Sequence, residues 1–198
     1  MTDSEHLRRD LEFIARWIAP GSHVLDLGCG DGTLLRHVRE HKHCTGYGVE
    51  ISDEKVLACI KNGIHVLQQD INNGLALFDN DAFDTVVLLE TLPAIRHVET
   101  TLREMARVGR EIIVSFPNFG HWHHRWALLQ GRMPVSESLP YEWYDTPNVR
   151  FATLYDFEVL AAKVGLQILD RLAFDQGRAI HFLPNWFGTL GVFRLRKA

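Results

Sequence analysis

Cysteine is scarce in this sequence, and its cysteines are not arranged in pairs. The chain has three, Cys29, Cys44 and Cys59, and no Cys-x-x-Cys motif. The odd count and the missing motif therefore suggest neither a disulfide framework nor a thiolate zinc site. The remaining interpretation is a cytoplasmic protein whose cysteines are small, buried side chains.

Long apolar runs and clusters of like charge are also missing. No stretch approaches the roughly 20 residues that a membrane-spanning helix needs, and residues 1–10 are polar and charged, unlike a secretory signal. The net charge is −4, whereas nucleic-acid binding depends on clustered Lys and Arg. We therefore expect a cytoplasmic protein that binds neither a membrane nor nucleic acid.

Segments typical of strands and of helices alternate along the chain. Nearly continuous apolar runs predict buried strands at residues 23–27, 45–50, 64–68, 83–89, 111–116, 166–174 and 191–197. Helical spacing predicts helices between most of them, the first with Leu7, Leu11, Ile14 and Ile18 on one face. No helix is expected between the last two strands, which predicts an antiparallel hairpin at the end of the sheet.

These patterns predict one α/β domain over residues 1–198. We expect a Rossmann-like, mostly parallel sheet with helices on both faces and the antiparallel C-terminal hairpin. A stretch rich in glycine, proline and aromatic residues, at about 118–151, is expected to be an irregular insert.

A glycine-rich turn lies between the first predicted strand and the helix that follows it. Its sequence, Asp26-Leu27-Gly28-Cys29-Gly30-Asp31-Gly32, has the spacing G-x-G-x-G, which differs from the G-x-G-x-x-G of dinucleotide sites. The loop has no lysine, and Asp26 would repel a pyrophosphate but suits a cationic amino group. The pattern therefore favours S-adenosylmethionine (SAM) or S-adenosylhomocysteine (SAH) over a dinucleotide cofactor.

Two more carboxylates follow the next two predicted strands. Glu50 ends the second strand and can accept hydrogen bonds from a ribose diol. Asp70 follows the third strand and can accept from an adenine amino group, with Ile71 as an apolar contact for the ring. A structural role as a helix cap remains open for Asp70 and for Asp31. The candidate cofactor-binding residues are Asp26, Gly28, Cys29, Gly30, Glu50, Ile51, Asp70, Ile71 and Leu89.

The loop resembles motif I of class I SAM-dependent methyltransferases, and the chain resembles the MetW family of methionine biosynthesis over nearly its full length. The matching stretches are residues 24–32, 46–50, 114–122 and 139–148. The resemblance implies a class I methyltransferase fold and a protein that works with MetX, the homoserine O-acyltransferase. The chain departs from the family at Leu89-Glu90-Thr91-Leu92-Pro93, where the usual run carries glutamines. A role for those glutamines therefore does not carry over.

Methyl transfer does not follow from a SAM site alone. Amide and exocyclic-amine methyltransferases carry an Asn/Asp-Pro-Pro-aromatic run after the fourth strand, and this chain does not. Glu90 is the one candidate for a catalytic base, and it can equally be a rim carboxylate or an acid at a helix N-terminus. The sequence thus favours an accessory SAM-binding subunit of the acyltransferase, with a SAM-dependent methyltransferase as the alternative.

The insert is the candidate partner surface, because Trp, Tyr and Arg dominate protein interfaces. Its alternative role is a lid that buries its own rings. Candidate partner-binding residues are Trp122, Arg125, Trp126, Tyr141, Trp143 and Tyr144. The neighbouring His121-Trp122-His123-His124 run has no nearby carboxylate and no H-E-x-x-H pattern, so we expect no metal site.

Overall fold

The structure is a computed structural model, and it describes residues 9–198. Its strands are β1 (His23–Leu27), β2 (Thr45–Glu50), β3 (Val66–Gln68), β4 (Phe83–Leu89), β5 (Gly109–Pro117), β6 (Leu166–Asp175), β7 (Arg178–Ala179) and β8 (Leu190–Lys197). Its helices are α1 (Arg9–Trp17), α2 (Thr33–Lys42), α3 (Asp53–Lys61), α4 (Val98–Val108), α5 (Trp122–Leu129), α6 (Leu154–Lys163) and α7 (Pro184–Phe187).

The strands form one sheet in the order β3-β2-β1-β4-β5-β8-β6-β7. Pairing is parallel from β3 through β5, and β8 is antiparallel to both of its neighbours, β5 and β6. Arg194 of β8 bridges those neighbours, since its guanidinium lies 2.9 Å from Glu111 of β5 and 3.2 Å from Asp170 of β6. The predicted parallel sheet with an antiparallel C-terminal pair is confirmed, with β8 inside the sheet and not at its edge.

Helices cover both faces of the sheet, as predicted. Leu25 and Leu27 of β1 belong to one hydrophobic cluster and Val24 to another, because successive strand residues point to opposite faces. The first cluster packs under α4 and α6, for example through Leu102 and Phe157. The second contains apolar side chains of α1, α2 and α3.

Three local predictions need correction or comment. The insert is not irregular throughout, because it begins with α5. The segment between β6 and β8, where no helix was expected, forms β7 and the one-turn helix α7, which starts at Pro184 because proline fits the first helical position. Leu7, predicted on the first helical face, lies outside the described residues. Within residues 9–198, no helix is long and apolar enough to cross a membrane.

Candidate functional site

The predicted site residues lie at the carboxyl edge of the sheet, where the strand order reverses. From β1 the chain continues to β2 and β3 on one side and returns to β4 on the other side of β1. In doubly wound sheets this reversal leaves a crevice outside the strand ends. Asp26 lies near the end of β1, the glycine loop follows it, and Glu50 is the last residue of β2.

The glycine loop is fixed to β2 by its own backbone. The N–H groups of Gly28 and Cys29 both donate to the carbonyl of Val49, at 2.7 and 3.2 Å. Gly28 and Gly30 have positive φ angles of 73° and 59°, which favour glycine. A Cβ added at Gly28 would lie 2.3 Å from Oγ1 of Thr91, whereas one at Gly30 would meet no atom within 4 Å. Gly28 is therefore required for packing, and Gly30 borders open space.

Glu50 connects the glycine loop to the turn after β2. It is 5% exposed, and its Oε2 accepts from the N–H of Gly30 at 3.0 Å. Its Oε1 accepts from the N–H groups of Ile51 and Ser52 at 2.9 and 3.0 Å. Because a carboxylate has about four acceptor positions, these three donors leave room for one further hydrogen bond.

Asp26 is a buried acid with no cationic partner among the described residues. It is 3% exposed. Burial, and secondarily the charge of nearby Glu50, raises the pKa of Asp26 from 3.8 to about 7. A buried carboxylate without a counter-charge is costly, so the position favours binding of a positively charged group.

The remaining candidates occupy different surroundings. Asp70 caps the short 3-10 turn Ile71–Asn73, with its Oδ1 accepting from the backbone N–H and the side-chain amide of Asn72, each at 2.9 Å. The capping role left open for it is therefore real, although no donor within residues 9–198 reaches its second oxygen. Ile71 belongs to the hydrophobic core, Leu89 is partly buried against the core, and Ile51 is exposed at the rim.

The Cys29 side chain is buried. Its thiol lies 3.6 Å from that of Cys59 and packs in the second hydrophobic cluster. Burial raises the pKa values of both thiols, which makes them unreactive. Only the backbone of Cys29 is therefore placed where a ligand in the loop could contact it.

Glu90, the candidate base, directly follows β4 and is exposed. Its φ angle is 53°, an uncommon backbone conformation for a residue other than glycine. Its N–H donates to the carbonyl and the hydroxyl of Ser115 at the end of β5, at 2.9 and 3.1 Å. The strained conformation at the carboxyl edge is held by these two bonds.

The partner candidates divide into two groups. Trp122, Arg125 and Trp126 lie on α5. Tyr141 and Trp143 line a hollow in the insert together with Phe119 and Phe151, and Tyr144 packs edge-on against Trp143. All five of the candidate rings are exposed, which is unlike a lid that buries its own aromatic side chains.

His124 of the histidine run is a structural residue. It is buried, and its Nε2 lies 2.9 Å from the hydroxyl of Ser136. Burial, and secondarily the charge of His121, lowers its pKa, so the ring is neutral near pH 7. Within residues 9–198, no three His, Cys, Asp or Glu side chains are grouped so as to hold a metal ion.

The sequence analysis missed a second exposed aromatic group, formed by Phe182, Trp186 and Phe187. The guanidinium carbon of Arg125 lies 4.4 Å from the centre of the Trp186 ring, so this group adjoins α5. The sequence did contain a signal for this exposed group, namely three aromatic residues within a short connection between two strands. Connections rarely need large apolar side chains, so such residues indicate an interaction surface.

The family model for "Methionine biosynthesis protein MetW" matches residues 8–195. The chain is also similar to the bifunctional methionine biosynthesis protein MetXA/MetW of Rhodopirellula baltica, with 40% identity over 88% of this chain. The match covers 30% of that relative, so the chain spans about a third of its length.

Solved structures share the fold at low sequence identity. A SAM-dependent methyltransferase from Archaeoglobus fulgidus has a TM-score of 0.75 at 13% identity, covering 98% of this chain and 95% of its own. One from Mesorhizobium loti has a TM-score of 0.72 at 14% identity, covering 98% and 100%. The cyclase SpnF has a TM-score of 0.69 at 15% identity, covering 99% and 85%. The fold thus occurs with more than one reaction.

Proposed function

The chain belongs to the MetW family of methionine biosynthesis proteins, and from this we propose that it is a SAM- or SAH-binding subunit that acts with the homoserine O-acyltransferase MetX. Its relative in Rhodopirellula baltica is a bifunctional protein whose name joins MetXA and MetW. Such a fusion supports a partnership, because it keeps the two parts at equal amounts and at a high effective concentration.

The observation that carries the ligand proposal is the buried Asp26. Burial, and secondarily the charge of Glu50, raises the pKa of this carboxyl to about 7. Such a carboxylate gains most from a cation, and SAM and SAH both carry an amino group that is protonated at neutral pH. The open space beside Gly30 provides room for a ligand in the loop that follows this acid. A phosphate-bearing dinucleotide would instead bring negative charge towards Asp26 and Glu50.

The positions of Glu50, Asp70 and Ile51 indicate which part of the adenosyl group each of them would contact. Glu50 retains one acceptor position for a ribose hydroxyl, and a second bond to the diol requires release of the Gly30 N–H. The second oxygen of Asp70 is available to the adenine amino group, and the exposed Ile51 side chain can cover the ring. Bound SAM would supply a reactive methyl sulfonium, while these residues bind and orient the adenosyl and amino-acid parts.

Calorimetry and an acyltransferase assay test the proposal together. The purified chain is titrated with SAH, SAM and NAD, and homoserine O-acyltransferase activity is measured with and without the chain. We expect binding of SAH or SAM, no binding of NAD, and a change in acyltransferase activity that depends on the ligand. Because coupling is reciprocal, the partner should shift SAH affinity by the same factor by which SAH shifts partner affinity, about 5- to 150-fold. Absence of association between the two proteins would reject the partnership.

A SAM-dependent methyltransferase is the second candidate, favoured by the strained left-handed backbone of Glu90 at the carboxyl edge. Incubation with labelled SAM and cell extract tests it directly. Label transfer that is lost in Glu90→Gln, while SAM affinity stays unchanged, would support a catalytic base. No transfer at saturating SAM leaves the accessory role as the better account.

A further inference from the structure

Two segments that are distant in sequence form one exposed aromatic surface. We call it the α5–α7 ridge, and it consists of Trp122, Arg125, Trp126, Phe182, Trp186 and Phe187. The cation–π contact between Arg125 and Trp186, at 4.4 Å, joins its two halves. The rings of Phe182 and Phe187 stack at 6.3 Å. Contiguous exposed apolar surface of this kind is typical of interaction sites.

Buried hydrogen bonds hold the two halves of the ridge in a fixed arrangement. The side-chain amide of Asn118, at the start of the insert, donates to the carbonyls of Asn185 and Gly188 at 3.2 and 2.8 Å. Its oxygen accepts from the N–H of Gly120 at 3.0 Å, and the side chain of Asn185 accepts from the N–H of Leu154 at 3.1 Å. A surface that is ordered before binding loses less entropy when a partner docks.

The charge around the ridge differs from that of the whole chain. The chain has a net charge of −4, yet residues 118–136 and 176–198 contain no Asp or Glu. Arg125, Arg132 and Arg178 belong to these segments. Asp175 lies beside these segments, since its charge acts on His121, but the ridge itself contains one cation, Arg125, and no acid. Its complement is an apolar patch with a carboxylate that can face Arg125.

We propose that the α5–α7 ridge is the surface on which the homoserine O-acyltransferase docks, through an apolar patch bordered by carboxylates. The inference rests on the proposed function, and it adds residues 182–187 to the interface. The relative that joins MetXA and MetW in one chain supports this occupant. A second copy of this chain is a poorer one, because a second ridge has no acid of its own to place opposite Arg125.

The test compares a ridge variant with a matched variant at the opposite edge of the sheet. Phe182→Glu places an acid on a side chain that is 73% exposed, and Leu57→Glu does the same on α3 at 57% exposure. Affinity of the full-length chain for the separately purified acyltransferase is measured by biolayer interferometry, and SAH affinity by calorimetry. We expect Phe182→Glu and Trp186→Ala to weaken partner binding at least tenfold with SAH affinity unchanged, and Leu57→Glu to change it less than twofold.

Three outcomes would overturn the inference, and they separate it from the proposed function. If the wild-type chain binds the acyltransferase and the ridge variants bind it equally well, the ridge is not the interface, although the partnership stands. If the wild-type chain does not bind it, both proposals are wrong. If light scattering shows a dimer of this chain that Phe182→Glu dissociates without changing acyltransferase binding, the occupant is a second copy. In support, the association rate should fall as salt is raised, because the rim contacts are electrostatic.

Discussion

Replacing Asp26 by Asn should stabilise the free protein while weakening its ligand binding. The pKa of Asp26 is 3.8 in an unfolded chain and about 7 in the folded protein. Between these values the folded state holds a proton that the unfolded state has lost, so stability decreases as pH rises. Each pH unit costs about 1.4 kcal/mol, which gives about 4 kcal/mol above pH 7. Asn has nearly the same shape and no charge, so the variant avoids this cost.

The expected gain is large enough to measure by thermal unfolding. For a chain of this length, about 4 kcal/mol corresponds to a rise in Tm of roughly 8–16 °C. The difference between variant and wild type should increase from pH 5 to pH 7 and then stay constant. Asp79→Asn, which removes the same charge from an exposed position, is the control and should leave the Tm within about 2 °C. An Asp26→Asn protein that is less stable than wild type at pH 8 would refute the reasoning, because the carboxylate would then have a stabilising partner.

Three further predictions concern the same loop. SAH affinity should fall about tenfold per pH unit below pH 7, because binding requires the ionised form of Asp26; calorimetry on Asp26→Asn should show weaker binding without this slope. Gly30→Ala and Gly21→Ala introduce similar backbone strain, since both glycines have positive φ and open space at Cβ. Each should cost about 1–2 kcal/mol of stability, but only Gly30→Ala should weaken SAH binding, and equal affinities would place the ligand elsewhere. Gly28→Val should lower stability by about 3 kcal/mol or more in urea unfolding, because its side chain would overlap Thr91; a fully stable variant would contradict this packing.

The sequence predicted the sheet well because its central strands are buried on both faces. A parallel strand such as β4 is apolar at five of its seven positions, the exceptions being Asp84 and Thr85, so its identity is visible in a short window. The order of β8 and β6 is not visible in this way. It depends on pairings between distant residues, such as the contacts of Arg194 with Glu111 and Asp170, which no local pattern contains.

In the candidate site, too, the local sequence predicts where residues lie but not which distant residues contact them. The positions of Asp26 and Glu50 followed from strand ends and loop spacing. Their surroundings did not, because they depend on which donors reach each carboxylate. Three backbone N–H groups donate to Glu50, whereas Asp26 is buried and has no cationic partner within residues 9–198. The proximity of Thr91 to Gly28 was likewise not visible, because it joins residues that are far apart in sequence.

The crevice and the α5–α7 ridge are connected through the end of β5. Ser115 holds the strained backbone of Glu90 at the crevice. Three residues later, Asn118 pairs with Thr189 and anchors α7. A shift of β5 on ligand binding would therefore move the anchor of the ridge, because packed interiors transmit displacement and do not absorb it. If β5 has one position in the free protein and another in the ligand-bound protein, the ligand changes partner affinity only by as much as its own affinity differs between these positions. The three residues from Ser115 to Asn118 are the path by which that change would reach the ridge.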